Sequence, residues 1–311
     1  MARHHGKPLW GFVRLFRLAL MMMLSGVAGC HATPPQSAVS PATPVSLGAY
    51  KPKRIVSLDF CSDQYVLKLA DPRDIVALSP DATRDFSYLR QQAVGIATVR
   101  PIAEDVLALR PDLIVRTYGG AANARAFFER AGIKVHQIQW GEDFAAIRTN
   151  TRAAARAFGQ VAKGEGIIAE FDRRLASMEP AHGVNVLYVT PGGVTSGSGS
   201  MVDLMITTAG LTNFQTRTGW SDLPLERLVT QRPDMLATAF FTGKPSDQSG
   251  GQDYWSMARH PIVRNMLRDV PTASLDGSTT ACAAWFIMDS IEALALKGRQ
   301  VQAQERVGSS L

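Results

Sequence analysis

Apolar residues fall into short runs separated by segments of mixed polarity. Runs that are apolar almost throughout and bounded by turn residues predict buried strands, at 53–58, 74–79, 112–117, 134–140, 185–190, 234–240 and 272–276. Segments with longer amphipathic patterns predict helices, at 64–71, 122–131, 143–158, 160–178, 201–210, 255–260 and 282–297. Strands that alternate with helices indicate parallel sheets, so the pattern predicts an α/β protein.

One phrase of the chain occurs twice. Residues 103–115 read AEDVLALRPDLIV and residues 225–237 read LERLVTQRPDMLA. In each copy a Glu opens a short helix, where the helix dipole favours a negative charge, and a Pro seven residues later ends that helix. The repeat predicts two similarly built α/β lobes with a cleft between them.

The segment between the two copies predicts a connector. Residues 160–178 contain no hairpin signal and would form a helix of roughly 28 Å at 1.5 Å per residue. We therefore expect an N-terminal lobe, a helical connector with this stiff helix, and a C-terminal lobe, at 53–141, 142–180 and 181–311.

The N-terminus has the pattern of a signal peptide, at 1–29. A basic stretch precedes the apolar run LALMMMLSGVAG, which is too short to span a membrane. The run ends in Val27-Ala28-Gly29-Cys30, which resembles a bacterial lipobox and predicts acylation of Cys30. The alternative is ordinary cleavage nearby, for example after Ala32, with Cys30 incidental. Residues 30–52 are rich in Pro, Ala, Ser and Thr and predict a flexible tether.

Charge and motifs exclude several functions. Four of the 33 basic residues and none of the 27 acidic residues fall in the first 30 positions, so the rest of the chain is nearly neutral. No basic stripe remains, and we expect no nucleic-acid partner. The chain lacks a P-loop, a complete G-x-S-x-G elbow and an HExxH motif. Its histidines are scattered, so we expect neither a metal centre nor an enzyme.

Several phrases together resemble a known family. These are RIVSL at 54–58, the two Glu-to-Pro-Asp phrases, TSGSGSMVDLM at 195–205, and GW followed four residues later by LERL. Over residues 53–297 the chain resembles ABC-transporter substrate-binding proteins of the vitamin B12 and iron–siderophore class. The resemblance implies two Rossmann-like lobes joined by one rigid bridging helix, with the ligand between them. It also implies a monomeric periplasmic protein, here anchored by lipid, that delivers its ligand to a permease.

The same resemblance implies roles for individual residues. Glu104 and Glu226 match the family glutamates that dock to the permease; alternatively, both are ordinary acids at helix starts. The positions expected at the ligand are Cys61, Phe86, Tyr88, Arg100, Tyr118, Trp220, Asp276 and Cys282. The ligand would be cobalamin or a ferric siderophore, and the protein would carry no resident cofactor. Core packing is the alternative for the aromatic residues, and solvated surface is the alternative for Arg100.

Two questions stay open in the sequence. Cys61 and Cys282 could form a disulfide across the lobes, line the cleft as free thiols, or pack as small apolar residues. We expect free thiols, because a capture cleft must admit a bulky ligand. The alternative function is a secreted two-lobe enzyme, such as a chelatase or an esterase, that acts on an imported metal complex.

Overall fold

The computed structural model describes residues 51–190, 192–240 and 260–308. The predicted signal peptide, Cys30, nearly all of the tether and residues 255–259 of the predicted helix at 255–260 lie outside these ranges. No helix among the described residues is long and apolar enough to cross a membrane.

The first lobe is built on a four-stranded parallel sheet of order β2-β1-β3-β4. Its elements are β1 (Ile55–Ser57), α1 (Phe60–Leu69), β2 (Ile75–Ala77), α2 (Ala103–Ala108), β3 (Leu113–Arg116), α3 (Ala124–Arg130) and β4 (Lys134–Gln137). Two helices follow, α4 (Phe144–Ala157) and α5 (Val161–Ser177).

The second lobe contains a parallel sheet of order β10-β9-β5-β7 and an antiparallel pair formed by β6 and β8. Its strands are β5 (Asn185–Val189), β6 (Val194–Ser196), β7 (Thr212–Asn213), β8 (Trp220–Asp222), β9 (Met235–Phe240) and β10 (Thr272–Asp276). Its helices are α6 (Met201–Thr208), α7 (Leu225–Thr230), α8 (Pro261–Asp269), α9 (Gly277–Thr280) and α10 (Ile287–Gly308). The predicted α/β class with two parallel-sheet lobes is confirmed.

The repeated phrase has the same structural role in both lobes. The carboxylate of Asp112 accepts hydrogen bonds from the backbone N–H groups of Lys53 (2.8 Å) and Arg54 (3.0 Å), just before β1. In the second lobe the carboxylate of Asp234 accepts from the N–H of Asn185, at the start of β5, at 2.8 Å. Each aspartate thus ties the start of its own strand to the neighbouring central strand.

The connector packs against both cores. Ile167 of α5 belongs to the apolar cluster of the first lobe, and Phe171, one turn later, belongs to the cluster of the second. The segment that precedes α10 also crosses over, since Cys282 and Phe286 pack in the first-lobe cluster. The predicted domain boundaries and the stiff bridging role of α5 stay predictions.

Some local predictions were wrong. The final helix begins at Ile287 rather than at 282, because a separate short helix, α9, ends at Thr280 and Cys282 lies between the two. The ladder of β4 ends at Gln137, three residues before the end of the predicted strand. Helix α8 was not predicted; it begins at Pro261, a residue well suited to a first helical turn.

Candidate functional site

A cavity of about 360 Å³ lies between segments of the two lobes. The first lobe contributes the loop after β4, and the second contributes β5, the start of α6, β8 and the residues after α9. The larger side chains of the lining are Trp140, Glu142, Tyr188, Met201, Met205 and Trp220. A concave, mostly apolar surface with a few polar groups is typical of a small-molecule site.

Trp220 lies at this cavity on a short strand, β8. It pairs with Ser196 in the antiparallel ladder of β8 and β6, and its ring meets the ring of Tyr188 edge-on at a centroid distance of 6.2 Å. The side chain nevertheless remains 58% exposed. The ladder fixes the backbone, so the indole is presented to the cavity instead of being packed in the core.

Trp140 is a second exposed indole at the same cavity, and the sequence analysis did not single it out. It lies after β4 and is 71% exposed, the largest exposed fraction among the apolar side chains of the lining. Its position as the last residue of an apolar run had suggested a strand end. Gly141 and Glu142 follow this run directly, and this change to turn and charged residues could have placed Trp140 in a loop.

A buried carboxylate positions the loop that carries Tyr118. Asp59 is 3% exposed, and its Oδ2 accepts from the backbone N–H groups of Thr117 (2.7 Å), Tyr118 (3.1 Å) and Gly119 (2.9 Å). Its Oδ1 accepts from Ser62 N at 2.9 Å and so caps the start of α1. Gly119 is required, because a Cβ there would collide with the carbonyl of Leu58.

Tyr118 belongs to an aromatic group with Phe60 and Phe86. The ring of Phe60 meets Phe86 edge-on at 4.8 Å and Tyr118 at 6.0 Å between centroids. Tyr118 itself is 52% exposed. The pKa of its hydroxyl is raised, first by burial of the oxygen and then by the charges of Asp59, Asp81 and Asp63. The exposed part of this aromatic group therefore lies near acidic side chains.

Tyr88 joins the first lobe to α10. Its ring stacks on Phe286 at 4.3 Å, and its hydroxyl donates to Asp289 at 2.7 Å. Burial, followed by the bond to Asp289, raises the pKa of this hydroxyl to about 12. Asp289 also accepts from Arg174 of α5 at 2.7 Å, so one carboxylate bonds to both the Tyr88 loop and the connector.

Cys61 and Cys282 form a disulfide, with Cα atoms 5.6 Å apart, and the prediction of two free thiols is wrong. Each residue is only 5% exposed, and the pair packs inside the first-lobe cluster. The disulfide is compatible with an open cavity, because Cys282 does not line it. The neighbouring residues Ala281 and Ala283 line the cavity instead. No thiol remains there for a ligand.

Residues 55–266 match the family model described as periplasmic binding protein, which covers well over half of the chain. The chain belongs to the periplasmic binding protein family.

Solved structures support the fold of this periplasmic binding protein. The heme-binding protein BhuT, solved with two hemes, has a TM-score of 0.62 at 20% identity and covers 80% of this chain and 98% of its own. A periplasmic heme-binding protein of Pseudomonas aeruginosa gives 0.61 at 21%, covering 78% and 91%. The vitamin B12-binding protein BtuF of Vibrio cholerae gives 0.54 at 17%, covering 81% and 98%. A search of curated protein sequences finds no significant match.

The other predicted ligand residues of this binding protein lie outside the cavity lining. Arg100 is largely exposed and forms an ion pair with Asp105 at 2.6 Å. Asp276 caps α9 by accepting from Ser278 N at 2.9 Å, and Arg90 approaches it at 3.9 Å. Phe86 and Tyr118 belong to the aromatic group with Phe60, and Tyr88 stacks on Phe286. Ligand contact by these five residues stays a prediction.

Glu104 and Glu226 occupy equivalent places in the two lobes. Each is the second residue of a six-residue helix, α2 or α7, and each side chain is exposed. Among the described residues no group of three or more His, Cys, Asp or Glu side chains is placed to hold a metal ion. The relatives named above are solute-binding proteins by their descriptions, and none of those descriptions names an enzyme.

Proposed function

We propose that this protein is the solute-binding component of an ABC importer and that it captures a metal chelate, a cobalamin or a ferric siderophore, in the cavity between its lobes. The observation that carries the proposal is the cavity itself, in which each lobe presents one exposed indole, Trp140 or Trp220. Large exposed aromatic surface is uncommon on a folded protein and indicates a binding site for a bulky, partly apolar ligand.

The relatives favour the same class of ligand. BhuT binds heme and BtuF binds vitamin B12 by their descriptions, and both are large, flat metal chelates. At about 360 Å³ the cavity is near the lower end of the range for drug-sized ligands. A chelate of this kind would therefore bind by one face or edge, with its remainder in solvent.

The remaining parts of the proposal concern location and delivery. The protein would work as a monomer in the periplasm, tethered to the membrane through acylated Cys30. Glu104 and Glu226 would meet basic residues of the permease, one glutamate per lobe. Exposed charges at the rim of an interface steer association and set orientation more than they contribute to affinity.

A binding titration tests capture. Cyanocobalamin and ferric hydroxamate siderophores would be titrated into the protein while tryptophan fluorescence is followed, and bound chelate would then be recovered and analysed by mass. We expect stoichiometric quenching and recovery of unchanged chelate. The Trp220→Ala variant should bind the chelate at least about tenfold more weakly than the wild type. Turnover of the chelate would support the enzyme alternative, and unaltered affinity in Trp220→Ala would contradict the site.

Uptake in cells tests delivery. The variant Glu104→Lys/Glu226→Lys should bind ligand as the wild type does but abolish uptake. Glu165→Lys/Glu179→Lys is a matched control, since both residues are exposed acids outside these two helices. Uptake that persists in the Glu104→Lys/Glu226→Lys variant would contradict the docking role.

A further inference from the structure

The described lining of the cavity carries a negative charge. Among the described lining residues Glu142 is the one charged side chain, and no Lys, Arg or His lines the cavity. The polar remainder is neutral, with hydroxyls such as those of Thr190, Ser200 and Thr280. A ligand that enters meets two exposed indoles, the partly exposed Met201 and a carboxylate.

Acidic groups also lie near Tyr118, outside the cavity lining. Asp59, Asp63 and Asp81 all act on the Tyr118 hydroxyl, and each raises the pKa of that group. The orientation of the Asp59 side chain is fixed, because its Oδ2 accepts hydrogen bonds from three backbone N–H groups. Its charge is therefore a fixed property of the loop that follows β3.

Two arginines of the first lobe, Arg90 and Arg116, do not line the cavity. Arg90 lies 3.9 Å from the carboxylate of Asp276. Arg116 is 7% exposed and donates its Nη2 to the carbonyl of Tyr118 at 3.2 Å; its Nε has no partner among the described atoms, and it is absent from the cavity lining. A negative ligand that binds beside Glu142 would lose hydration without gaining a cation among the described lining residues.

We propose that the cavity selects metal chelates that carry no net negative charge, with Trp140 and Trp220 covering the ligand and Glu142 opposing anions. This inference rests on the proposed function, since it concerns the ligand of the same site. Trp140 would contribute apolar contact, and it would attract a cationic ligand through its ring face. Glu142 would contribute discrimination rather than affinity for a neutral ligand.

The test compares two ferric chelates of opposite character, a neutral trishydroxamate and a trianionic triscatecholate, by quenching of tryptophan fluorescence. In the wild type we expect the neutral chelate to bind at least tenfold more tightly. Glu142→Lys should reduce that preference by about tenfold, mainly by strengthening binding of the anionic chelate. Glu179→Lys, which makes the same charge change away from the cavity, should leave the preference unaltered.

The variant Trp140→Ala provides a second test, which measures the contribution of the indole to affinity. It should weaken the neutral chelate by about tenfold while the wild-type order of preference persists. Equal or tighter binding of the anionic chelate by the wild type, or a preference that Glu142→Lys does not move, would overturn this inference and leave the proposed function standing. If no chelate of either charge binds, the proposed function fails first.

Discussion

The disulfide between Cys61 and Cys282 should contribute strongly to stability, because it joins residues 221 positions apart. A bridge that closes so long a loop removes much of the entropy of the unfolded chain, and the loop-entropy relation gives about 5 kcal/mol as an upper value. Bridges in practice contribute about 2–4 kcal/mol. We expect Cys61→Ala/Cys282→Ala to lower the free energy of unfolding by about 3 kcal/mol, because the variant loses the bridge. The small space left by the two buried sulfurs adds to the loss.

The assay is urea unfolding followed by circular dichroism, in a Cys30→Ser background so that only these two sulfurs are counted. Four samples are compared: oxidised protein, the same protein with reductant, and the Cys61→Ala/Cys282→Ala variant without and with reductant. The reduced protein and the variant should unfold at similar urea concentrations, and reductant should not affect the variant. Two reactive thiols in the denatured, unreduced protein, or a variant within 0.5 kcal/mol (about the scatter of surface substitutions) of the oxidised protein, would refute the reasoning.

Two buried aspartates give further predictions. Asp59→Ala leaves four backbone N–H groups without their acceptor, so urea unfolding should show a loss of stability of about 3 kcal/mol or more. The control Asp81→Ala, at an exposed residue, should lose about 0.5 kcal/mol or less. Equal losses in the two variants would contradict the role of Asp59. Burial raises the pKa of Asp63 from 3.8 to about 6. The folded state then binds the proton more tightly, so this group lowers stability by roughly 3 kcal/mol as pH rises from 3.8 to about 6. His136 opposes this trend, because burial lowers its pKa to about 4 and its penalty disappears as pH rises. The Asp63 effect is therefore the difference between wild type and Asp63→Asn, and parallel pH profiles for the two would contradict it.

The sequence predicted the elements that depend on local pattern. The two Glu-to-Pro-Asp phrases placed α2 and α7 and the strands β3 and β9 that follow them, because helix starts, prolines and apolar runs act within a few residues. Both glutamates are exposed, as helix-start acids usually are.

Features that depend on distant contacts were harder to predict. The state of Cys61 could not follow from its neighbours, because its partner lies 221 residues away. The β6–β8 pair was not recognised, because two three-residue strands give too little alternation and β6 lies in a Gly- and Ser-rich stretch. Trp140 was overlooked because an exposed indole and a buried one look alike when they end an apolar run.

The hydrogen bonds of Asp112 and Asp234 have a consequence for the outer surface of the protein. Each aspartate holds a fixed place beside the first strand of its lobe, and each exposed glutamate stands eight residues before it. One residue inserted into α2 or α7 would turn the preceding carboxylate by about 100° around the helix axis. The spacing between the two acids therefore sets the direction in which each glutamate points, and it sets that direction in the same way in both lobes.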